Sequence, residues 1–109
     1  MKLWIDDIRF PPGPPGKYVW IKSVNQAKDF IIKYSNSIDW DNNLVDEIEL
    51  LDIDHDAGFY SYDGGDYIKL LDWLEENEMN YPIRIHCANP VGRENMRRVI
   101  QKNGWREVY

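Results

Sequence analysis

The chain has 109 residues, 43% hydrophobic and 14% aromatic, enough apolar material for one self-supporting core and too much for a disordered segment. Its one cysteine, Cys87, excludes an internal disulfide; with no signal-peptide pattern and no apolar run near the roughly 20 residues of a membrane span, a single cytoplasmic domain over residues 1–109 is expected, with no membrane partner. The net charge of −6 is uneven, residues 39–78 holding 14 of the 19 acids and one base, Lys69, against 12 bases and 5 acids elsewhere, which argues against duplex DNA as a partner and leaves room for a local anion site toward the C-terminus.

Lys2–Ile5 is a short apolar run suited to a buried strand, stopped at once by Asp6 and Asp7. Phe10–Gly16 contains four prolines and two glycines, so it reads as a stiff surface loop. Tyr18–Lys22 is a second strand. Ser23, with Gln26 three residues on, has the form of a capping box, and Val24, Ala27, Phe30, Ile31 and Tyr34 give the helix behind it one apolar stripe. Ile38–Asn43 reads as a polar connection. Glu47–Ile53 is strand-like, and its Ile48, Leu50, Leu51 and Ile53 suit a strand covered on both faces. A glycine- and tyrosine-rich loop, Gly58–Gly65, leads into a helix running from Tyr67 to about Asn77, and Pro82–Cys87 is the next strand. Asn89 as N-cap and Pro90 at the first helical position open a third helix, with Met96, Val99 and Ile100 inward and Gly104 as its stop. Trp105–Tyr109 is a terminal strand.

Strands joined by helices of this length pair in parallel through right-handed crossovers. The expected fold is therefore α/β, a flavodoxin- or receiver-like three-layer sandwich on a five-stranded parallel sheet of order 2-1-3-4-5, with the Pro-rich loop where the first crossover helix would lie. In such sheets ligands bind beyond the carboxyl ends of the strands, and those ends carry the polar clusters. Strand one ends in Asp6-Asp7-Ile8-Arg9, strand three in Asp54-His55-Asp56, and strand four in His86 with Asn89. Carboxylates brought together repel one another unless a cation intervenes, so Asp6, Asp7, Asp54 and Asp56 are candidate ligands for a hard divalent ion, Mg²⁺ or Mn²⁺ first.

His55 and His86 are the only histidines, and both fall on this edge, where they could act in proton transfer or ligate a softer metal. The helix start at Asn89 offers backbone donors and a dipole to an anion, with Arg93 and Arg9 as bidentate phosphate ligands. Cys87 reads as a small buried hydrophobe. Phe59, Tyr60 and Tyr62 could stack on a base.

The segments Leu-Trp-Ile-Asp6-Asp7-Ile-Arg9, Leu-Asp-Ile-Asp54-His55-Asp56 and Ile-His86-Cys-Ala-Asn89-Pro90-Val-Gly92-Arg93-Glu-Asn95-Met96 together resemble the receiver-like cyclic-phosphate processing domains. The resemblance implies a receiver-type fold and a role in processing nucleotides that carry cyclic phosphates, often in bacterial or phage conflict. Receivers of two-component signalling share the acidic pair and the aspartate here at Asp54, but they also use a Ser or Thr after strand four and a Lys after strand five. His86-Cys87 stands in the first place and no Lys in the second, which disfavours phosphoacceptor signalling. The leading expectation is a metal-dependent phosphoesterase acting on a cyclic phosphate of a nucleotide or RNA end. Asp6, Asp7, Asp54 and Asp56 would hold the metal, Asp54, His55 and His86 would carry the chemistry, and Arg9, Asn89, Arg93 and Asn95 would hold the phosphate. The alternatives are a module that binds a cyclic nucleotide without cleaving it, and a receiver-like signalling or interaction domain.

Overall fold

A computed structural model describes residues 1–109. Its strands are β1 (Lys2–Ile5), β2 (Tyr18–Ile21), β3 (Ser37–Ile38), β4 (Leu44–Val45), β5 (Leu50–Ile53), β6 (Ile83–Ile85) and β7 (Glu107–Val108); its helices are α1 (Val24–Tyr34), α2 (Ile68–Glu76) and α3 (Pro90–Asn103). A single 3₁₀ turn, Gly58–Tyr62, lies between β5 and α2.

Five strands form one parallel sheet in the order β2-β1-β5-β6-β7, which is the expected 2-1-3-4-5 once the strands of this sheet are counted alone. The helix ends follow the sequence signals. The Ser23 hydroxyl accepts from Gln26 N–H, Asn89 accepts from Val91 and Gly92 N–H ahead of Pro90, and Gly104 closes α3 in the left-handed region at φ 66°. The segment read as a polar connection is the turn of a small antiparallel hairpin, β3 against β4, whose strands reach from Ser37 to Val45. Asp39 makes it: its Oδ1 accepts from Asp41 and Asn43 N–H, closing the turn with no apolar pattern to announce it.

Period-two alternation sorts the sheet into two unlike faces. Leu3, Ile5, Ile21, Leu51, Ile53 and Ile83 point to one side and meet Val24, Ala27 and Ile31 of α1, Leu70, Leu71 and Leu74 of α2, and Met96 and Ile100 of α3 in a single core cluster. On the other side Trp20, Trp4, Asp52 and Arg84 lie side by side across β2, β1, β5 and β6. The layer over this face comes from the Pro-rich segment, as the sequence indicated, instead of a helix. Trp4 Nε1 donates to Arg9 O at 2.8 Å, and Phe10 packs on Trp20 with ring centroids 5.0 Å apart. β1, β5 and β6 are adjacent, so residues just past Ile5, Ile53 and Ile85 share one edge, and that is where the site lies.

Candidate active site

Asp6, Asp7 and Asp54 converge at the carboxyl edge: one carboxylate oxygen from each lies within 4.8 Å of the other two. They sit in different surroundings. Asp6 is fully buried, and its Oδ1 accepts from Ile8 and Arg9 N–H at 3.0 Å each while Oδ2 accepts from His86 Nε2 at 2.9 Å. Burial opposes its ionisation, but these donors outweigh burial and hold the carboxyl below the usual aspartate range. A carboxylate has about four acceptor positions; Asp6 uses three, so one on Oδ2 remains for a ligand. Asp7 faces Asp6 and Asp54 with little more than its own backbone N–H in opposition; burial first, then these neighbouring charges, push its carboxyl up. Asp54 is buried and accepts from His55 N–H at 2.8 Å. Gly58 closes the cluster from above, because a Cβ there would stand 2.3 Å from Asp7 Oδ2.

Asp56 departs from the expected metal set. Its exposed carboxylate turns to His55, Oδ1 to Nδ1 at 2.7 Å, and the carboxylate group it can join is His55 and Asp66 rather than the buried trio. The reason is local: β5 ends at Ile53, so the alternation that aims Asp54 inward no longer governs Asp56. With Nδ1–H directed at Asp56, a neutral His55 presents Nε2 as an acceptor. The ring packs against the first turn of α3, where Gly92 leaves room for it; a Cβ on Gly92 would stand 2.5 Å from the ring.

His86 is built in more tightly than a free acid–base group. Nε2 faces Asp6 and Nδ1 faces Asp52 Oδ1 at 2.7 Å, while the ring lies flat on Trp4, with centroids 3.8 Å apart and planes 3° from parallel. Both ring nitrogens are thus engaged by carboxylates. Asp52, fully buried, also accepts from Arg84 at 3.1 Å and from the Tyr18 hydroxyl at 3.2 Å. Burial, then Asp52, pushes the Tyr18 hydroxyl up. Asp52, Arg84, Trp4 and Tyr18 were not among the expected site residues. The signal for them was a charged residue at the centre of each of two apolar strands, Leu51-Asp52-Ile53 and Ile83-Arg84-Ile85, which implies a partner across the sheet.

The expected phosphate ligands divide. Arg9 donates to His86 O at 3.1 Å and Arg93 donates to Cys87 O, so guanidinium groups from the strand-one and helix-three segments bond the carbonyls of two successive residues after β6. Asn89 spends its side-chain oxygen on Val91 and Gly92 N–H. Asn95 lies with Pro90, Val91, Glu94 and Arg98 along a shallow groove of about 300 Å³ that includes none of the acids. Cys87 is buried and its thiol is pushed up, by burial first and then by Asp54. The chain thus has a receiver-like α/β fold with an acidic centre at the carboxyl edge of its sheet.

It belongs to the cyclic-phosphate processing receiver domain family, whose model matches residues 1–102. Comparison with curated proteins and with solved structures returns no match. No helix is long and apolar enough to cross a membrane.

Proposed function

We propose that this domain is a metal-dependent phosphoesterase that opens a cyclic phosphate on a nucleotide or RNA end, in the cytoplasmic setting of bacterial or phage conflict. The observation that carries the reading is the convergence of Asp6, Asp7 and Asp54 within 4.8 Å, at the sheet edge where Arg9 and Arg93 bond the His86 and Cys87 carbonyls. Three carboxylates with oxygen donors only, one of them electrostatically strained, match the chemistry of Mg²⁺ or Mn²⁺. An ion there would neutralise charge on a phosphoryl oxygen.

The chain's own residues supply the rest. Arg9 and Arg93 retain unused N–H donors for the remaining phosphate oxygens. His55, oriented by Asp56, takes a proton from the attacking water at Nε2. The water oxygen bonds to phosphorus, one ring P–O bond breaks, and the released oxygen takes up a proton, leaving a phosphomonoester and a free hydroxyl. His86 acts as a positioning residue, holding Asp6 against Asp52. Phe59, exposed immediately after Gly58, stands where a base could stack.

The test is product analysis of 2′,3′- and 3′,5′-cyclic nucleotides incubated with Mg²⁺ or Mn²⁺. Ring opening that is lost in Asp54→Asn is expected; no turnover with any metal and substrate would overturn the reading. One observation favours a second reading. Both His86 nitrogens are engaged, so only His55 is free for proton transfer, and a module that captures the cyclic phosphate intact would need no more than the arginines and the acids. In that case calorimetry gives saturable binding and the ligand is recovered unchanged.

A further inference from the structure

Away from the acidic edge, the β3–β4 hairpin projects a group of large apolar side chains. Ile38 and Leu44 are direct cross-strand partners and are 66% and 74% exposed, and Trp40 at the turn is wholly exposed. The turn that presents them is ordered, since Asp39 Oδ1 accepts from both Asp41 and Asn43 N–H and Asn42 takes the left-handed conformation at φ 61°. The apolar knob stands in an acidic setting: Asp39, Asp41, Asp46, Glu47 and Glu49 fall between Tyr34 and Leu50, and no Lys or Arg does. Large apolar side chains left this exposed together on one hairpin mark a surface that is covered in use.

The same molecule carries a complementary surface. The groove of about 300 Å³ on the first turns of α3 is lined by Pro90, Val91, Glu94, Asn95 and Arg98, with Val91 69% exposed. Of the four bases on the helix, Arg97 is paired with Glu107, Lys102 with Glu75, and Arg93 is bonded to the Cys87 carbonyl, which leaves Arg98 as the cation open to an acidic partner at this groove. Arg98 is exposed and held only by a 4.0 Å contact to Glu94, so its guanidinium is available to lie over an incoming ring. A buried tryptophan contributes about 150–250 Å² of contact and favours such anchor positions.

We propose that the Trp40 hairpin of one copy docks in the α3 groove of a second copy, with the indole on Pro90 and Val91 and beneath Arg98. The knob and the groove are different patches, so the contact is heterologous and propagates head to tail instead of closing as a two-fold dimer. The charge match makes it sensitive to salt.

Sedimentation of the full chain from micromolar to near-millimolar concentration tests this, with Trp40→Ala as the knob variant and Val91→Glu and Arg98→Glu as independent groove variants, each checked for an unchanged far-ultraviolet circular dichroism spectrum. The wild type is expected to gain mass with concentration, and less so in high salt, while Trp40→Ala and the groove variants lose at least ~10-fold in association. An equimolar mixture of Trp40→Ala and Val91→Glu is expected to form a dimer and stop there, because only one productive knob and one productive groove remain. A wild type that stays monomeric throughout, as it would if the knob served a different basic partner, overturns the proposal; so does a variant mixture that fails to associate.

Discussion

Replacing Asp7 by Asn should stabilise the metal-free protein and remove its response to metal. The carboxylate oxygens of Asp6, Asp7 and Asp54 lie within 4.8 Å of one another, a separation at which two unit charges repel by about 1 kcal/mol at the dielectric of water and about 3.5 kcal/mol at an effective value near 20. Asp7 is partly exposed and Asp6 is already countered by His86, so the lower half of that range applies. A gain of about 1–2 kcal/mol at neutral pH follows, or a Tm rise of roughly 4–8 °C per kcal/mol in a domain of this size. Burial and the neighbouring charges raise the Asp7 carboxyl in the folded state. Such a group contributes stability below its unfolded value of about 3.9, and that contribution is lost as pH rises through the raised folded value. The advantage of the Asn variant should therefore vanish at acid pH and open above it. Metal reverses the order: an ion at 100 times its Kd adds about 2.7 kcal/mol to the wild type, and the variant lacks the third anionic ligand. Thermal melts in chelator and in Mg²⁺ or Mn²⁺, at acid and neutral pH, read both effects. A variant less stable than wild type in chelator, or one with the full metal-dependent shift, refutes the reasoning.

Three further outcomes follow from the same geometry. Gly92→Ala gains up to about 1 kcal/mol of helix propensity in α3, yet its methyl would meet the His55 ring at 2.5 Å; the expected net result is a destabilisation of about 1–2 kcal/mol in urea melts, with turnover reduced as His55 is displaced. His86→Ala strands the buried Asp6 and Asp52 carboxylates and should cost about 3–5 kcal/mol, while the neutral Asp52→Asn/His86→Gln pair should recover part of that loss in the same melts. Cys87, buried with its thiol pushed up by burial and by Asp54, should resist thiol reagents in the native state and react at an ordinary rate once unfolded.

The sheet was legible because its signals are local and redundant. The apolar runs ending at Ile5, Ile53 and Ile85, the caps at Ser23 and Asn89 and the stop at Gly104 each fix one element, and right-handed crossovers then leave few strand orders. Asp6, Asp7 and Asp54 were legible for the same reason: each lies just past a strand whose place was known. The β3–β4 hairpin was not, since two-residue strands carry no period and the turn depends on one aspartate side chain. That Asp56 turns to His55 and Asp66 instead of the buried trio was not legible, because nothing in the pattern Asp54-His55-Asp56 says where the chain bends after β5. Asp52 was passed over because a single charge inside an apolar run does not disturb the strand signal, although it makes a demand that Arg84, Tyr18 and His86 have to meet from other segments.

That demand contributes to a contrast between the adjacent aspartates at the end of β1. Asp52 anchors His86 from the helix-free face of the sheet, and His86 carries its second donor through to Asp6. Asp6 is held as an anion although it is wholly buried: the Arg9 and Ile8 N–H groups first, and then His86, outweigh burial and push its carboxyl down. Asp7, one residue on, has only its own backbone N–H in support and is pushed up, by burial first and then by the charges of Asp6 and Asp54. Neighbouring carboxyls driven apart in this way take different parts: Asp6 is ionised before any ligand arrives, and Asp7 is the group whose charge an incoming cation relieves. Cation binding at mildly acid pH should therefore release protons from Asp7 and none from Asp6, and Asp7→Asn should abolish the release. Calorimetry in buffers of different ionisation enthalpy measures this directly, and proton release that persists in the Asn variant would place the responsive group elsewhere.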